Sequence, residues 1–301
     1  MPTAIDVRGL RKTYGSRAVL DGVDLSVGDG EIFALLGPNG AGKTTTIQIL
    51  TTLTRPDGGS VHVAGHDVLR SPLAVKQRIA LTGQSAAVDE SLGAHENLVM
   101  FGRLSGLSRP AAQERAEQLL RRFGLADAAR RRVATFSGGM RRRLDLALSF
   151  VARPQVLFLD EPTTGLDTRS RRELWDVIRS LAGAGTTVFL TTQYLEEADE
   201  LADRVAVLHE GRIVALGTAE QLKARVGDER LELRDADGTV RRAVPTDGTL
   251  AGLRAAVDAL TAGGESGSVS LRRPTLDDVF LALTDRPTPG SDRSPAPKEY
   301  A

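Results

Sequence analysis

The segment GPNGAGKTT, Gly37 to Thr45, follows the apolar run IFALL and precedes the helical run TTTIQIL, so a G-x4-G-K-[ST] loop stands between a strand and a helix. Its chemistry is phosphate binding. Gly37, Gly40 and Gly42, with Asn39 and Ala41 between them, let backbone amides curl round an anion, and Lys43 supplies a point charge for β and γ phosphates. The helix that starts there adds the partial positive charge of its N-terminus, and Thr45 completes the nucleotide-binding stretch. The Thr44 hydroxyl is a ligand for Mg²⁺.

A second group lies at the end of another apolar run. VLFLDEP, Val156 to Pro162, closes on two adjacent carboxylates, and the alternation of side chains along a strand assigns them different tasks. Asp160 is expected to help hold Mg²⁺, directly or through water. Glu161 is expected to polarise an attacking water as general base.

These groups need a frame. Up to about residue 222, short β-branched or apolar runs alternate with longer helical patterns, which predicts a layered α/β domain. Glu31 to Leu36, Val156 to Leu159, Thr187 to Thr191 and Val205 to Leu208 read as buried strands. Over residues 85–154 the strand-like runs stop, and AAQERAEQLLRRFGL spaces its apolar residues near a helical period, which predicts a helical insertion. Beyond residue 222 the texture changes. LELRDADGTVRRAV alternates about an Asp237-Gly238 pair and LAGLRAAVDALTAGG follows as a helix, so residues 223–285 are predicted to form a small α+β accessory domain. The Pro-, Ser- and charge-rich end, residues 286–301, is expected to be a disordered tail.

Composition excludes several functions. Lys plus Arg and Asp plus Glu both total 39, so no whole-chain field recruits nucleic acid or anionic lipid. The arginine runs 130–132 and 141–143 are accordingly expected to be solvated helix faces, and nucleic acid is not expected as a partner. Without cysteine there are no disulfides and no thiolate metal sites. His62 and His66, in HVAGH, are expected in a solvated strand and turn rather than on a metal. MPTAIDVRGLRKTYG lacks an apolar core and no window approaches the roughly 18 apolar residues of a membrane helix, so a cytosolic chain is expected whose membrane work needs a partner.

FSGGMRRRLDLA, Phe136 to Ala147, about twenty residues before the carboxylate pair, resembles the signature of ABC ATPases, and the likeness runs through residues 1–221. It implies a phosphate-loop NTPase fold: a RecA-like core with an antiparallel β part and a helical insertion. It further implies ATP and Mg²⁺ as ligands and a homodimer formed with nucleotide. Ser137, Gly138 and Gly139 would then contact the γ-phosphate held by the opposite subunit, as a Ser-Gly-Gly helix start can. By the same resemblance Tyr14 stacks on adenine, Gln84 reaches Mg²⁺ and the attacking water, and Asp167 crosses the dimer interface. Where the family usually places a histidine on the γ-phosphate, this chain has Gln193, whose amide can sense the phosphate without a titrating charge.

TTQYLEEADELADRVAVLHEGRIVALGT and RRPTLDDVFLALT narrow the likeness to the ATP-binding subunits of daunorubicin-resistance-type exporters. This implies a peripheral subunit on the cytoplasmic face of the membrane. A separate multi-helix permease would hold it there and carry a hydrophobic drug or antibiotic. Export of a polysaccharide, lipid or other metabolite stays open at this point, as does a soluble ATPase without a transport role. The latter usually carries two cassettes or a coiled-coil insertion, and this chain has neither.

Overall fold

The computed structural model describes residues 3–83, 88–262 and 267–284, and the chain divides after Ala219 into two compact units. Gln84 and the tail at 286–301 lie outside the described residues. The first unit opens with two long strands, β1 (Thr3–Tyr14) and β2 (Arg17–Gly28), paired antiparallel. Shifts of register interrupt the pairing, among them one between Val7 and Leu10, and each breaks the strict alternation of buried and exposed side chains. Next come β3 (Ile32–Leu36), α1 (Lys43–Leu50), β4 (Gly58–Val63), β5 (His66–Asp67), α2 (Pro72–Lys76) and β6 (Ile79–Thr82). The helical insertion holds α3 (Ala94–Leu104), α4 (Arg109–Arg122) and α5 (Gly138–Ser149), with two short 3₁₀ turns before α5. After it the chain alternates strictly: β7 (Val156–Asp160), α6 (Thr168–Gly183), β8 (Thr187–Thr192), α7 (Leu195–Leu201) and β9 (Arg204–His209). β10 (Arg212–Gly217) follows, and α8 (Ala219–Ala224) spans the division between the units.

Two sheets result. The larger has the order β10-β9-β3-β8-β7-β6, parallel except for the β9–β10 pair. The smaller is antiparallel, β2-β1-β4-β5, with His62 and His66 on its strands β4 and β5. Strands β3, β7 and β8 are buried along their whole length, which explains their unbroken apolar runs. In the shared register, Phe189 of β8 lies beside Phe33 of β3 and Phe158 of β7, with ring centroids 5.5 and 5.7 Å away. This aromatic row keeps three strands level, so the loops leaving their C-terminal ends emerge side by side. In open parallel sheets that edge is where ligands bind.

The second unit, from Glu220, contains β11 (Arg230–Arg234), β12 (Val240–Pro245), α9 (Leu250–Thr261), β13 (Ser268–Arg272) and α10 (Leu276–Thr284). Its sheet is antiparallel, β12-β11-β13, and the Asp237-Gly238 pair lies in the β11–β12 turn, with Gly238 at φ 79°. Leu231 and Leu233 pack with Ala256 and Leu260 of α9. Thr275 and Asp278 cap α10 reciprocally, the Thr275 amide donating to Asp278 Oδ2 and the Asp278 amide to Thr275 Oγ1.

Candidate active site

The site is assembled where β3, β7 and β8 end. Beyond β3 the amide of Gly37 donates to the Thr192 carbonyl at 3.3 Å, tying the loop entrance to the end of β8. Ala41 is buried under the loop, with its amide on the Pro38 carbonyl. Gly42 caps α1 at φ 110°, a conformation that a side chain rarely adopts, and a Cβ there would press on Leu20 and the Val19 carbonyl. The next turn is helical, so its first amides have no partner within the helix and point outward.

Lys43 is 5% exposed, and its Nζ donates to the carbonyls of Gly37 (2.8 Å) and Pro38 (3.1 Å), with Glu161 Oε1 at 3.4 Å. One cation is therefore aimed across the loop by three oxygens. Tyr14, Asn39, Gly40, Gly42, Lys43, Thr44, Thr45 and Glu161 line one cavity of about 420 Å³. Arg17 and Val19, from the start of β2, complete its wall. Neither carries a motif, and only the β1–β2 turn brings them there. Tyr14, at the end of β1, is half exposed and lies at the cavity wall, with Lys12 Nζ 5.2 Å from its ring centroid.

Asp160 ends β7 and is nearly buried. Its Oδ1 accepts from Thr191 Oγ1 at 2.6 Å and from Thr44 Oγ1 at 3.4 Å. Glu161 stands beyond the strand, in left-handed backbone at φ 47°. Strand alternation was expected to separate the two carboxylates, but this turn does so instead, at a cost of about 1–3 kcal/mol for a non-glycine residue. The Glu161 amide is held by Thr191, through both its carbonyl (3.1 Å) and its hydroxyl (3.2 Å). Gln193, half-buried, follows two residues later, just past the end of β8 and at the same edge of the sheet.

Ser137, Gly138, Gly139 and Asp167 are not among the residues lining this cavity. Ser137 caps α5, its hydroxyl accepting from the Met140 amide at 3.2 Å, and it remains exposed beside Gly138. Gly139 is buried, and a Cβ there would meet Ser170 Oγ at 2.5 Å. Asp167 caps α6 by accepting from the Ser170 amide and hydroxyl, which hold its carboxyl below the usual carboxylate range.

The arginines at 141–143 are not a solvated face. Arg142 is largely buried, and burial pulls its guanidinium below its ordinary value. It donates to the carbonyls of Pro162 (3.0 Å) and Gly83 (2.6 Å), joining α5 to the turn after Glu161 and to the residue before Gln84. Arg141 and Arg143 pair with Glu90 and Glu173. Net charge could not reveal this, since each arginine meets a partner distant in sequence. Arg130, Arg131 and Arg132 are exposed as expected, but they lie between the two 3₁₀ turns and not on a helix face.

Glu197 of α7 was also missed. It is fully buried, and Trp175 Nε1 donates to it at 3.2 Å. Burial pushes its carboxyl up, against the hydrogen bonds of Thr192, Trp175 and Thr163. With the folded value above the unfolded one, the folded state holds more protons between the two, so stability declines as pH rises through that interval. Glu197→Gln removes the titration. Urea unfolding from pH 5 to 8 is expected to show the variant gaining on the native chain as pH rises; a constant difference would reject this account.

The fold and the site together define a phosphate-loop nucleotide-binding subunit. Residues 20–164 match the ABC transporter family. The chain is 53% identical to a daunorubicin resistance ATP-binding protein of Streptomyces coeruleorubidus, over 97% of each chain. It is 50% identical to the daunorubicin/doxorubicin resistance ATP-binding protein of Streptomyces peucetius, over 97% of this chain and 94% of that one. A solved structure of the ATP-binding subunit of an ABC transporter is 30% identical, with a TM-score of 0.65 over 74% of this chain and 93% of its own. The chain belongs to the ABC transporter family, among its ATP-binding subunits of the daunorubicin-resistance type. It is thus an ATP-binding and ATP-hydrolysing subunit of a transporter. No helix among the described residues is long and apolar enough to cross a membrane.

Proposed function

We propose that this chain binds ATP with Mg²⁺ between Tyr14 and the Lys43 loop, pairs with a second copy while nucleotide is bound, and powers efflux of a hydrophobic drug or antibiotic. A separate multi-helix permease holds it at the cytoplasmic face of the membrane and provides the path. The observation that carries the reading is the convergence of Lys43, Thr44 and Glu161 on one cavity with Asp160 at its edge.

In this reading the loop amides and Lys43 bind the β and γ phosphates, and Tyr14 stacks on adenine. Thr44 Oγ1 and Asp160 Oδ1, 3.4 Å apart, are two hard oxygen donors beside the phosphate loop and fit Mg²⁺. Gln84, outside the described residues, is a third candidate ligand. The metal supplies neutralisation of phosphate charge. Glu161 takes a proton from the attacking water, and Gln193 senses the γ-phosphate through its amide. Ser137, Gly138 and Gly139 close the site of the partner copy, a reading supported by their absence from the lining of their own chain's phosphate-loop cavity, and Asp167 lies at the interface. The second unit, from Glu220, serves as an accessory domain.

The test is daunorubicin accumulation in cells expressing the chain with its membrane permease. Accumulation is expected to fall with the pair and to stay high with the chain alone. Intact ATP hydrolysis without drug efflux would move the cargo to a polysaccharide, lipid or other metabolite. Failure to retain any membrane protein would leave a soluble ATPase.

A further inference from the structure

Thr191 sits between the two chemistries of the site. In the register of the large sheet it lies beside Leu35 of β3 on one side and Asp160 of β7 on the other, and it is fully buried. A threonine hydroxyl has one proton to give and two lone pairs to receive with. Here the proton goes to Asp160 Oδ1 at 2.6 Å, and a lone pair receives the Glu161 amide at 3.2 Å. The carbonyl of the same residue takes that amide at 3.1 Å as well, so the left-handed residue Glu161 is anchored twice to Thr191. The neighbouring Thr192 carbonyl receives the amide of Gly37.

We infer that Thr191 is a positioning residue for both carboxylates: its hydroxyl fixes the rotamer of Asp160 toward Thr44 and the backbone of Glu161 toward Lys43. The inference rests on the roles proposed above for Asp160 and Glu161 and adds what holds them. A carboxylate gripped at Oδ1 by a buried donor is held in one orientation beside Thr44 Oγ1, much as partners beyond the direct ligands hold those ligands at metal sites. No motif marks Thr191. It is one of three threonines in the strand TVFLTT, and the sequence does not single it out.

The substitution Thr191→Val keeps the β-branched shape and deletes the hydroxyl. It is expected to raise the Mg²⁺ concentration for half-maximal hydrolysis, or to lower kcat, by about 10- to 100-fold, the usual cost of losing such a partner. A readout without turnover accompanies it: affinity for a fluorescent ATP analogue, measured first in EDTA and then in Mg²⁺. Affinity in EDTA is expected to match the native chain, while the gain on adding Mg²⁺ shrinks. Thr191→Ser retains the hydroxyl and is expected to restore both measurements. Thr191→Cys, with a weak donor of similar size, is expected to fall between and reads the same effect should the valine variant not fold.

Native Mg²⁺ dependence and turnover in Thr191→Val would overturn the inference, as would a serine variant as impaired as the valine one. A native chain that does not hydrolyse ATP would instead sink the broader reading. The EDTA and Mg²⁺ comparison would still decide the role of Thr191.

Discussion

Glu161→Gln is expected to lower ATP turnover by about 10²- to 10⁴-fold, the range a positioned general base contributes. The change is nearly isosteric, and the amide anchoring to Thr191 is a backbone interaction that it does not touch. Nucleotide affinity should hold, since the phosphate charge is met by Lys43 and the loop amides. Removing a negative charge 3.4 Å from Lys43 Nζ leaves that cation freer for phosphate. With hydrolysis stalled, paired subunits should accumulate in Mg-ATP and be visible as a doubling of mass by light scattering. Turnover at the native rate would take the base assignment away from Glu161. Loss of turnover without pairing would remove the dimer from the proposal.

The second large effect is expected at Lys43. Its ammonium is buried, and the carbonyls that hold it fix its direction, so little order remains to be imposed when phosphate arrives. Each hydrogen bond from a charged group contributes about 1.5–3 kcal/mol. Lys43→Ala should therefore weaken ATP by about 10- to 100-fold for one such bond, and by more for two. AMP provides the control. It lacks the β and γ phosphates, so its weaker binding, through Tyr14 and the loop amides, should change little in Lys43→Ala. Equal losses for ATP and AMP would mean that the substitution collapses the loop and does not act on the distal phosphates.

Much of this site can be read in the sequence because its parts are local. The phosphate loop is one contiguous segment with its own strand and helix, and β3, β7, β8 and β9 are short apolar runs bounded by loops. The hairpin at Asp237-Gly238 is equally local. What sequence hides is held by contacts across the chain. Register shifts break the period of β1 and β2, so the strands that bring Tyr14 and Arg17 to the cavity give a weak signal. Arg142 reads as one arginine in a run of three, yet it reaches carbonyls 20 and 59 residues away. The separation of Asp160 from Glu161 is a backbone property, a left-handed φ, that the Asp-Glu pair does not encode by pattern.

The close approach of Gly139 to Ser170 has a mechanical meaning. Ser170 fills the space that a Cβ on Gly139 would need, and its hydroxyl donates to Asp167 Oδ2. The Ser-Gly-Gly turn and the Asp167 turn are thereby packed one against the other. A tilt of either helix carries both, and a neighbouring subunit would be met by a single stiff edge instead of two loops settling at their own pace.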